Sequence, residues 1–490
     1  MQRFFKANYP IICSKNMNTK RIINSTLLLL SLIGFVFIFW WLNTDPTRDF
    51  TINVEGADNR GRDDTAQMVD IGEIFIQYTS EYEKLSETWP RFRGADFDNI
   101  SKSPVKLINK FGAEGPKLVW KVELGEGHSG AAIYEGLVYV LDYDEEKRAD
   151  MLRCFSLVDG KEQWTRGYRL NIKRNHGMSR TIPAVTENYI VTIGPMCHVM
   201  CLDRETADLR WGLDVAKEYA SEIPLWYTGQ CPLVDNNVAV IATGGKALMV
   251  AIDCETGAKL WEAPNPNGWK MSHSSVLPFT FGGRKMYVYS AVGGLVGVAA
   301  DGDDAGKILW ETPAWNHSVV APSPVCMPDG KIFMTAGYGA GSMMLQLSEN
   351  NGNFSIEPIV EYKPSEGLAC EQQTPLYWNG HLFGILPKDG GTLRTQLVCV
   401  HPSNPKKVIW SSGKETRFGL GPYFMADNKL FILNDDGTLS VATPSIKNFI
   451  RLDQVKVIED GHDAWAPFAI ANGYLILRDA KTMVCIDLNV

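Results

Sequence analysis

Residues 251–261 read AIDCETGAKLW, and this phrase decides the fold. A Thr-Gly pair sits between two apolar stretches, which is the pattern of a β-hairpin turn. The phrase recurs as SLVDGKEQW, CLDRETADLRW, DGDDAGKILW and HPSNPKKVIW, each ending on a tryptophan. Trp120, Trp164, Trp211, Trp261, Trp310 and Trp410 lie 44, 47, 50, 49 and 100 residues apart. The last gap is two periods, with Val360 of the apolar run IEPIV at its midpoint. Two more strand-like runs precede the hairpin, NNVAVIAT and KALMVAID in this repeat. Four short strands in about 40–50 residues are the signature of a β-propeller blade.

A second marker counts the blades. Cys154, Cys201, Ala251 and Ala300 stand ten residues before a tryptophan, and Cys399 eleven before Trp410. These small residues are expected to face a tight gap between sheets, which makes the cysteines core residues. Thiols at equivalent places in different blades are too far apart to bridge. Ala442 of LSVATP then places an outer-strand residue near Leu452. Cys485 of MVCIDL would place one at position 495, beyond Val490. The last blade therefore lacks an outer strand, while KLVWKVEL around Trp120 is an outer strand with no blade before it. Pairing the two closes the ring without a free edge. The expectation is an all-β, eight-bladed propeller closed by its N- and C-terminal strands. Seven blades is the alternative count, should the weakly marked fifth or seventh repeat not form a blade.

The rest of the 490 residues divides around this ring. The expected organisation is a basic cytoplasmic tail (1–22), a transmembrane signal anchor (23–42), a juxtamembrane spacer (43–88) and the propeller (89–490). The tail carries Arg3, Lys6, Lys15, Lys20 and Arg21 and no acid. NSTLLLLSLIGFVFIFWWL, residues 24–42, is uncharged and long enough to cross a bilayer. Trp40 and Trp41 end it at the expected interface, and the basic side stays inside, so the propeller is expected to be periplasmic or extracellular. No small-residue cleavage signature and no lipobox cysteine follows, so cleavage is the lesser option. In the spacer, IFIQYTSEYEKL reads as a short helix. Apolar residues at 45% and charged ones at 21% suit a packed protein. A net charge of −8 argues against nucleic acid as a partner. Ten cysteines are too dilute for a disulfide scaffold.

The phrase A/C-x-D-x-x-T-G-x-x-x-W resembles the repeat of the pyrroloquinoline-quinone-like (PQQ-like) propellers. Quinoprotein alcohol dehydrogenases and the BamB lipoprotein of outer-membrane assembly share that repeat. The lead-in WPRFRGADFDNIS, followed by GPKLVWKVELGEGHSG, is similar to the start of exported PQQ-like repeat proteins, and the resemblance covers residues 89–490. It implies the fold strongly and a function weakly. The dehydrogenases carry adjacent cysteines beneath the quinone and a calcium set of Glu, Asn and Asp. This chain has no Cys-Cys pair, which speaks against bound PQQ. A BamB-like role would make the ring a docking scaffold for envelope proteins, although the lipobox of such proteins is missing here.

The loops that precede the inner strands carry the candidate chemistry. They read GEGHSG, KRNHGMSR, YTGQCP, KMSHSS, WNHSVV, ACEQQTP, RFGLGPY and GHDAWAP. The repeat places them around one mouth of the channel. They supply His128, Arg174, His176, Arg180, Tyr227, Gln230, Lys270, His273, His317, Glu371, Gln372, Gln373, Arg417, His462 and Asp463, with Trp226, Trp269 and Trp465 beside them. Convergent polar groups among aromatic walls mark a binding site. Arg174, Arg180, Lys270 and Arg417 would suit an anionic ligand. The plain alternative is that these residues bond loop backbones and one another. An enzyme would use His176, His273 or His462 for proton transfer. The histidines occur singly, without H-x-H, H-E-x-x-H or C-x-x-C spacing, so no metal site is expected. No G-x-S-x-G elbow and no C-x-x-C-H haem motif occurs.

Overall fold

In the hairpin of strands Ala247–Asp253 and Lys259–Pro264, Asp253 caps the turn. Its carboxylate accepts from the Thr256 amide at 2.7 Å and the Thr256 hydroxyl at 2.8 Å. The Gly257 amide donates to the Asp253 carbonyl at 2.9 Å, with Gly257 at φ +72°. Ala251 lies opposite Trp261, and the register shifts there so that Leu260 bulges outward. A shift at the equivalent place recurs in the outer strand of every blade. Bulges of this kind raise the local twist of a strand.

The glycine and the tryptophan of the phrase are two halves of one contact between neighbouring blades. A Cβ on Gly160 would stand 2.6 Å from Trp120, one on Gly257 2.8 Å from Trp211, and one on Gly306 3.0 Å from Trp261. Indole N–H groups fasten the same seam: Trp120 Nε1 donates to the Leu157 carbonyl at 2.8 Å, and Trp211 Nε1 to the Cys254 carbonyl at 2.9 Å. At these three seams the tryptophan lies on the next blade's turn, where only glycine leaves room; at Trp164 the turn carries Ala207 instead.

The computed structural model describes residues 16–43, 68–112 and 115–490. Eight antiparallel sheets follow one another along the chain. Their inner strands begin at Ala131, Ala184, Leu233, Leu277, Val325, Leu376, Tyr423 and Ala469. The outer strand of the eighth blade is Lys117–Glu123, which pairs with Thr482–Asp487 and sets Trp120 opposite Cys485. The ring has eight blades and closes through its terminal strands, as the spacing predicts. Val360 takes the tryptophan's place in blade five, opposite Met344. Cys154, Cys201 and Cys399 lie buried opposite Trp164, Trp211 and Trp410. The nine described cysteines are free.

In blade seven Ala442 lies opposite Arg451, with Leu452 in the bulge beside it, so the outer strand Ile450–Lys456 falls where the marker places it. Two expectations need correction. In blade four Gly297, not Ala300, faces Trp310, because the connection before the tryptophan is longer there. A Cβ at Gly297 would come within 2.2 Å of the Trp310 ring. The stretch read as a short helix instead holds the strand Ile74–Gln77, a fifth strand on the outer edge of blade one. Its residues alternate between half-buried and exposed, and the Arg166 guanidinium lies 4.9 Å over the Phe75 ring.

The lead-in has a role its sequence does not announce. Trp89 bridges to Ile133 in blade one. The Val185 amide of blade two donates to the Pro90 carbonyl at 2.8 Å, and Arg91 Nη1 donates to the Val234 carbonyl of blade three at 3.0 Å. Asn99 Nδ2 then donates to the Tyr423 carbonyl of blade seven at 2.6 Å. A segment bonded to four inner strands spans the channel, at the end away from the loops that precede those strands. The channel is a recess with one mouth.

The N-terminal helix Asn16–Asn43 is a separate unit. Residues Arg21–Leu42 are long and apolar enough to cross a membrane, and their apolar side chains are exposed all round. Arg3, Lys6 and Lys15 of the tail, and spacer residues 44–67, lie outside the described residues.

Candidate functional site

The mouth loops converge on Arg180. Its Nε donates to the Trp226 carbonyl at 2.6 Å. Its Nη2 donates to the carbonyls of Asn175 at 3.2 Å, His176 at 2.5 Å and Gly177 at 3.2 Å. All of these acceptors are carbonyls. Burial pulls the guanidinium down to about 10, so it stays charged at neutral pH. The carboxylate that acts on it, Glu126, is itself paired with Arg174 at 2.7 Å.

Aromatic and imidazole rings gather on both sides. Trp465 lies 5.0 Å from His128 and 5.6 Å from His176, and the two histidines are 5.8 Å apart. On the other side Trp226 stacks on Tyr338 at 5.6 Å and on His273 at 6.2 Å. Trp226 and Tyr338 both sit at positive φ, 59° and 56°, an uncommon conformation for bulky residues that turns the rings toward the mouth. His128 is 9% exposed, and its Nδ1 has no hydrogen-bond partner among the described residues. Burial, then the charges of Arg180 and Arg478, push His128 down to about 2. Burial and Arg180 push His273 down to about 3. Both imidazoles are therefore neutral.

Other sequence candidates belong to the rim or to the frame. Gln230 is fully buried and bonds the Ala242 backbone through both ends of its amide, at 2.9 and 2.8 Å. Tyr227 donates to the Lys173 carbonyl at 2.6 Å. Arg417 bonds the carbonyls of Lys414 and Arg394. Lys270 pairs with Glu222 at 2.8 Å on the surface. Gln373 donates to the Trp465 carbonyl at 3.0 Å and Gln372 to the Leu420 carbonyl at 3.4 Å, so both hold loops together. Glu371 is half-buried against Gly337, and burial raises its pKa. His462 and Asp463 face each other at 3.7 Å on the exposed rim. His317 packs edge-on against Trp315 at 4.3 Å.

Sequence reading missed Tyr338, Asp435 and Arg478, which come from the second-to-third strand turns of blades five, seven and eight. Those turns lie on the same face as the mouth loops. Asp435 accepts from the Trp465 indole at 2.9 Å and the Leu420 amide at 2.7 Å. Arg478 is buried and donates to the carbonyls of Ser129, Leu141 and Gly125. The alternation of the strands would have pointed to these turns. A cavity of about 550 Å³ opens off-axis between blades eight and one, lined by Glu123, Glu126, Asp142, Glu145 and Tyr78 among others. The rings around Arg180 belong to the mouth loops and lie outside this cavity's lining.

The family model described as outer membrane protein assembly factor BamB matches residues 103–268 and 148–357, which together take in more than half of the chain. Comparison with curated proteins returns no match. Among solved structures, the quinohemoprotein alcohol dehydrogenase ADHIIG from Pseudomonas putida HK5 superposes with a TM-score of 0.56 at 12% identity, over 82% of this chain and 80% of that one. BamB from Moraxella catarrhalis gives a TM-score of 0.49 at 11% identity, over 76% of this chain and 97% of that one. At such identity the dehydrogenase likeness shows the fold alone. With the repeat phrase, the eight closed blades and the family match in agreement, the chain belongs to the BamB-type family of PQQ-repeat β-propellers.

Proposed function

We propose that the mouth binds a polar, anionic ligand with Arg180 as its anchor. One observation carries this reading: a half-buried guanidinium whose hydrogen bonds all go to carbonyl oxygens. Carbonyls satisfy N–H donors but leave the charge unneutralised, and a carboxylate or phosphate supplies what is missing. The plugged far end supports entry and exit by the mouth alone.

A quinone-plus-calcium centre does not fit the residues present. The chain has no adjacent cysteines, and no three His, Cys, Asp or Glu side chains gather as metal ligands among the described residues. His273, pushed down to about 3, is a weak proton acceptor at neutral pH. The family match favours a second reading, an envelope protein docking on the propeller. We also infer that the helix Asn16–Asn43 anchors the chain, with the basic tail cytoplasmic and the propeller periplasmic or extracellular. Lys20 and Arg21 before the apolar run, and Trp40 and Trp41 at its end, support that orientation.

The test is a thermal-shift titration of the full-length protein in detergent with succinate, citrate and inorganic phosphate. At least one should raise the Tm, since binding to the folded state stabilises it. Arg180→Gln should weaken that anion at least tenfold, in line with about 1.5–3 kcal/mol for a charged hydrogen bond, and Arg180→Lys should keep part of the affinity. Undiminished binding by a folded Arg180→Gln variant would remove Arg180 as the anchor.

A further inference from the structure

We propose that the anion is carried by a sugar: the mouth is built for an acidic oligosaccharide, a chain of pyranose units bearing uronate carboxylates. This rests on the anion-site reading above and specifies its ligand.

Arg180 ties two of the mouth loops together. The guanidinium bonds the Trp226 carbonyl on one side and the His176 carbonyl on the other. Trp226 belongs to one ring cluster, with Tyr338 and His273. His176 belongs to the other, with Trp465 and His128. A single positive charge thus stands between two aromatic platforms, each centred on a half-buried tryptophan. A ligand that uses all three has an anionic group flanked by two faces able to lie on an indole. The C–H face of a pyranose carries a slight positive charge and lies against the negative face of an aromatic ring.

The imidazoles decide between a sugar and a flat aromatic acid. Both would satisfy the platforms and the charge. A neutral imidazole offers one donor and one acceptor, and a hydroxyl offers the same pair. His128 and His273 are neutral and stand at the two platforms. His128 Nδ1 is buried and unpartnered among the described residues. The hydroxyls of a sugar match the donor and acceptor that the imidazoles offer, whereas the carbon edge of an aromatic acid does not. Inorganic phosphate would use Arg180 and leave both platforms empty. A neutral sugar would leave the charge uncompensated.

The test uses the full-length protein in detergent and four probes: trigalacturonate, neutral maltotriose, benzene-1,3,5-tricarboxylate and inorganic phosphate. Binding is followed by calorimetry and by tryptophan fluorescence. Trigalacturonate should bind at least tenfold more tightly than the other three and change the tryptophan emission. Trp226→Ala and Trp465→Ala should each weaken it about tenfold. Trp465→Phe should keep most of the affinity, which separates stacking from the structural bond of the indole to Asp435. Tighter binding of the tricarboxylate, lost in Arg180→Gln, would overturn the sugar assignment and leave the anion site standing. Equal binding of maltotriose and trigalacturonate would overturn the uronate. Failure of all four probes would overturn the sugar assignment and the anion site together.

Discussion

His128 carries a cost that pH can expose. Burial and the nearby guanidinium groups hold its imidazole down at about 2, while in the unfolded chain it titrates near 6.5. The unfolded state therefore takes up a proton, as pH falls, that the folded state refuses. The contribution is complete above about pH 6.5 and is lost progressively as pH falls toward about 2. Asp150 works in the opposite sense: burial raises its carboxyl to about 7, so the fold is favoured at low pH and loses that contribution as pH rises through 7. At pH 5 the His128 term amounts to about 2 kcal/mol. Urea unfolding at pH 7, 6 and 5 should show His128→Gln gaining about that much on the parent chain across the range. Parallel stability curves would mean that His128 is not held neutral. Sequence reading found His128 but had no means of ranking it above Gln230 or Arg417. All three are polar residues in equivalent loops. Their roles depend on which carbonyls face them, and those belong to other parts of the chain, such as Ala242 for Gln230 and Arg394 for Arg417.

Legibility changes at the scale of elements. The hairpin phrase is readable because its turn, its glycine and its tryptophan are local signals fixed by one repeated contact. The strand Ile74–Gln77 is not, because its partner is Glu162–Arg169, far along the chain, and the charged residues that follow it imitate a helix. The lead-in was hidden for the same reason, since its bonds reach inner strands up to blade seven. The N-terminal helix is the opposite case: its own composition defines it, and the orientation we propose for it rests on composition as well. Alkaline carbonate should leave the chain in the membrane fraction. A membrane-impermeant amine reagent applied to spheroplasts, with any outer membrane stripped, should label Lys102 and Lys106, which are 68% and 75% exposed. Labelling of these lysines only after the membrane is broken would reverse the orientation.

The molecule as a whole depends on one seam that differs from the other seven. Seven outer strands are joined to their blades by a covalent turn. The eighth, Lys117–Glu123, has no such turn: ladder bonds hold it to Thr482–Asp487, flanking bonds such as that of the Leu124 amide to the Lys481 carbonyl extend them, and the Trp120 indole reaches blade one at Leu157. Removing a buried tryptophan side chain such as Trp120 costs about 3–5 kcal/mol and removing half-buried Trp261 costs less, but the consequences should differ in kind as well. At Trp261 the weakened strand stays tethered beside its partner, so the ladder re-forms quickly. At Trp120 no tight turn joins the freed strand to its partner, and its tethers are the longer segments that bond at Phe111 and lead on to Ala131, so recapture carries a larger closure entropy. Opening there also uncovers the edge of Thr482–Asp487. Native-state hydrogen exchange separates the two. Trp120→Ala should accelerate the amides that Met483 and Cys485 contribute to that ladder at denaturant concentrations where the rest of the ring is still protected. Trp261→Ala should leave those amides at the parent rate. If both variants speed exchange evenly around the ring, the propeller opens as one cooperative unit, and its closing strand is no weaker than its hairpins.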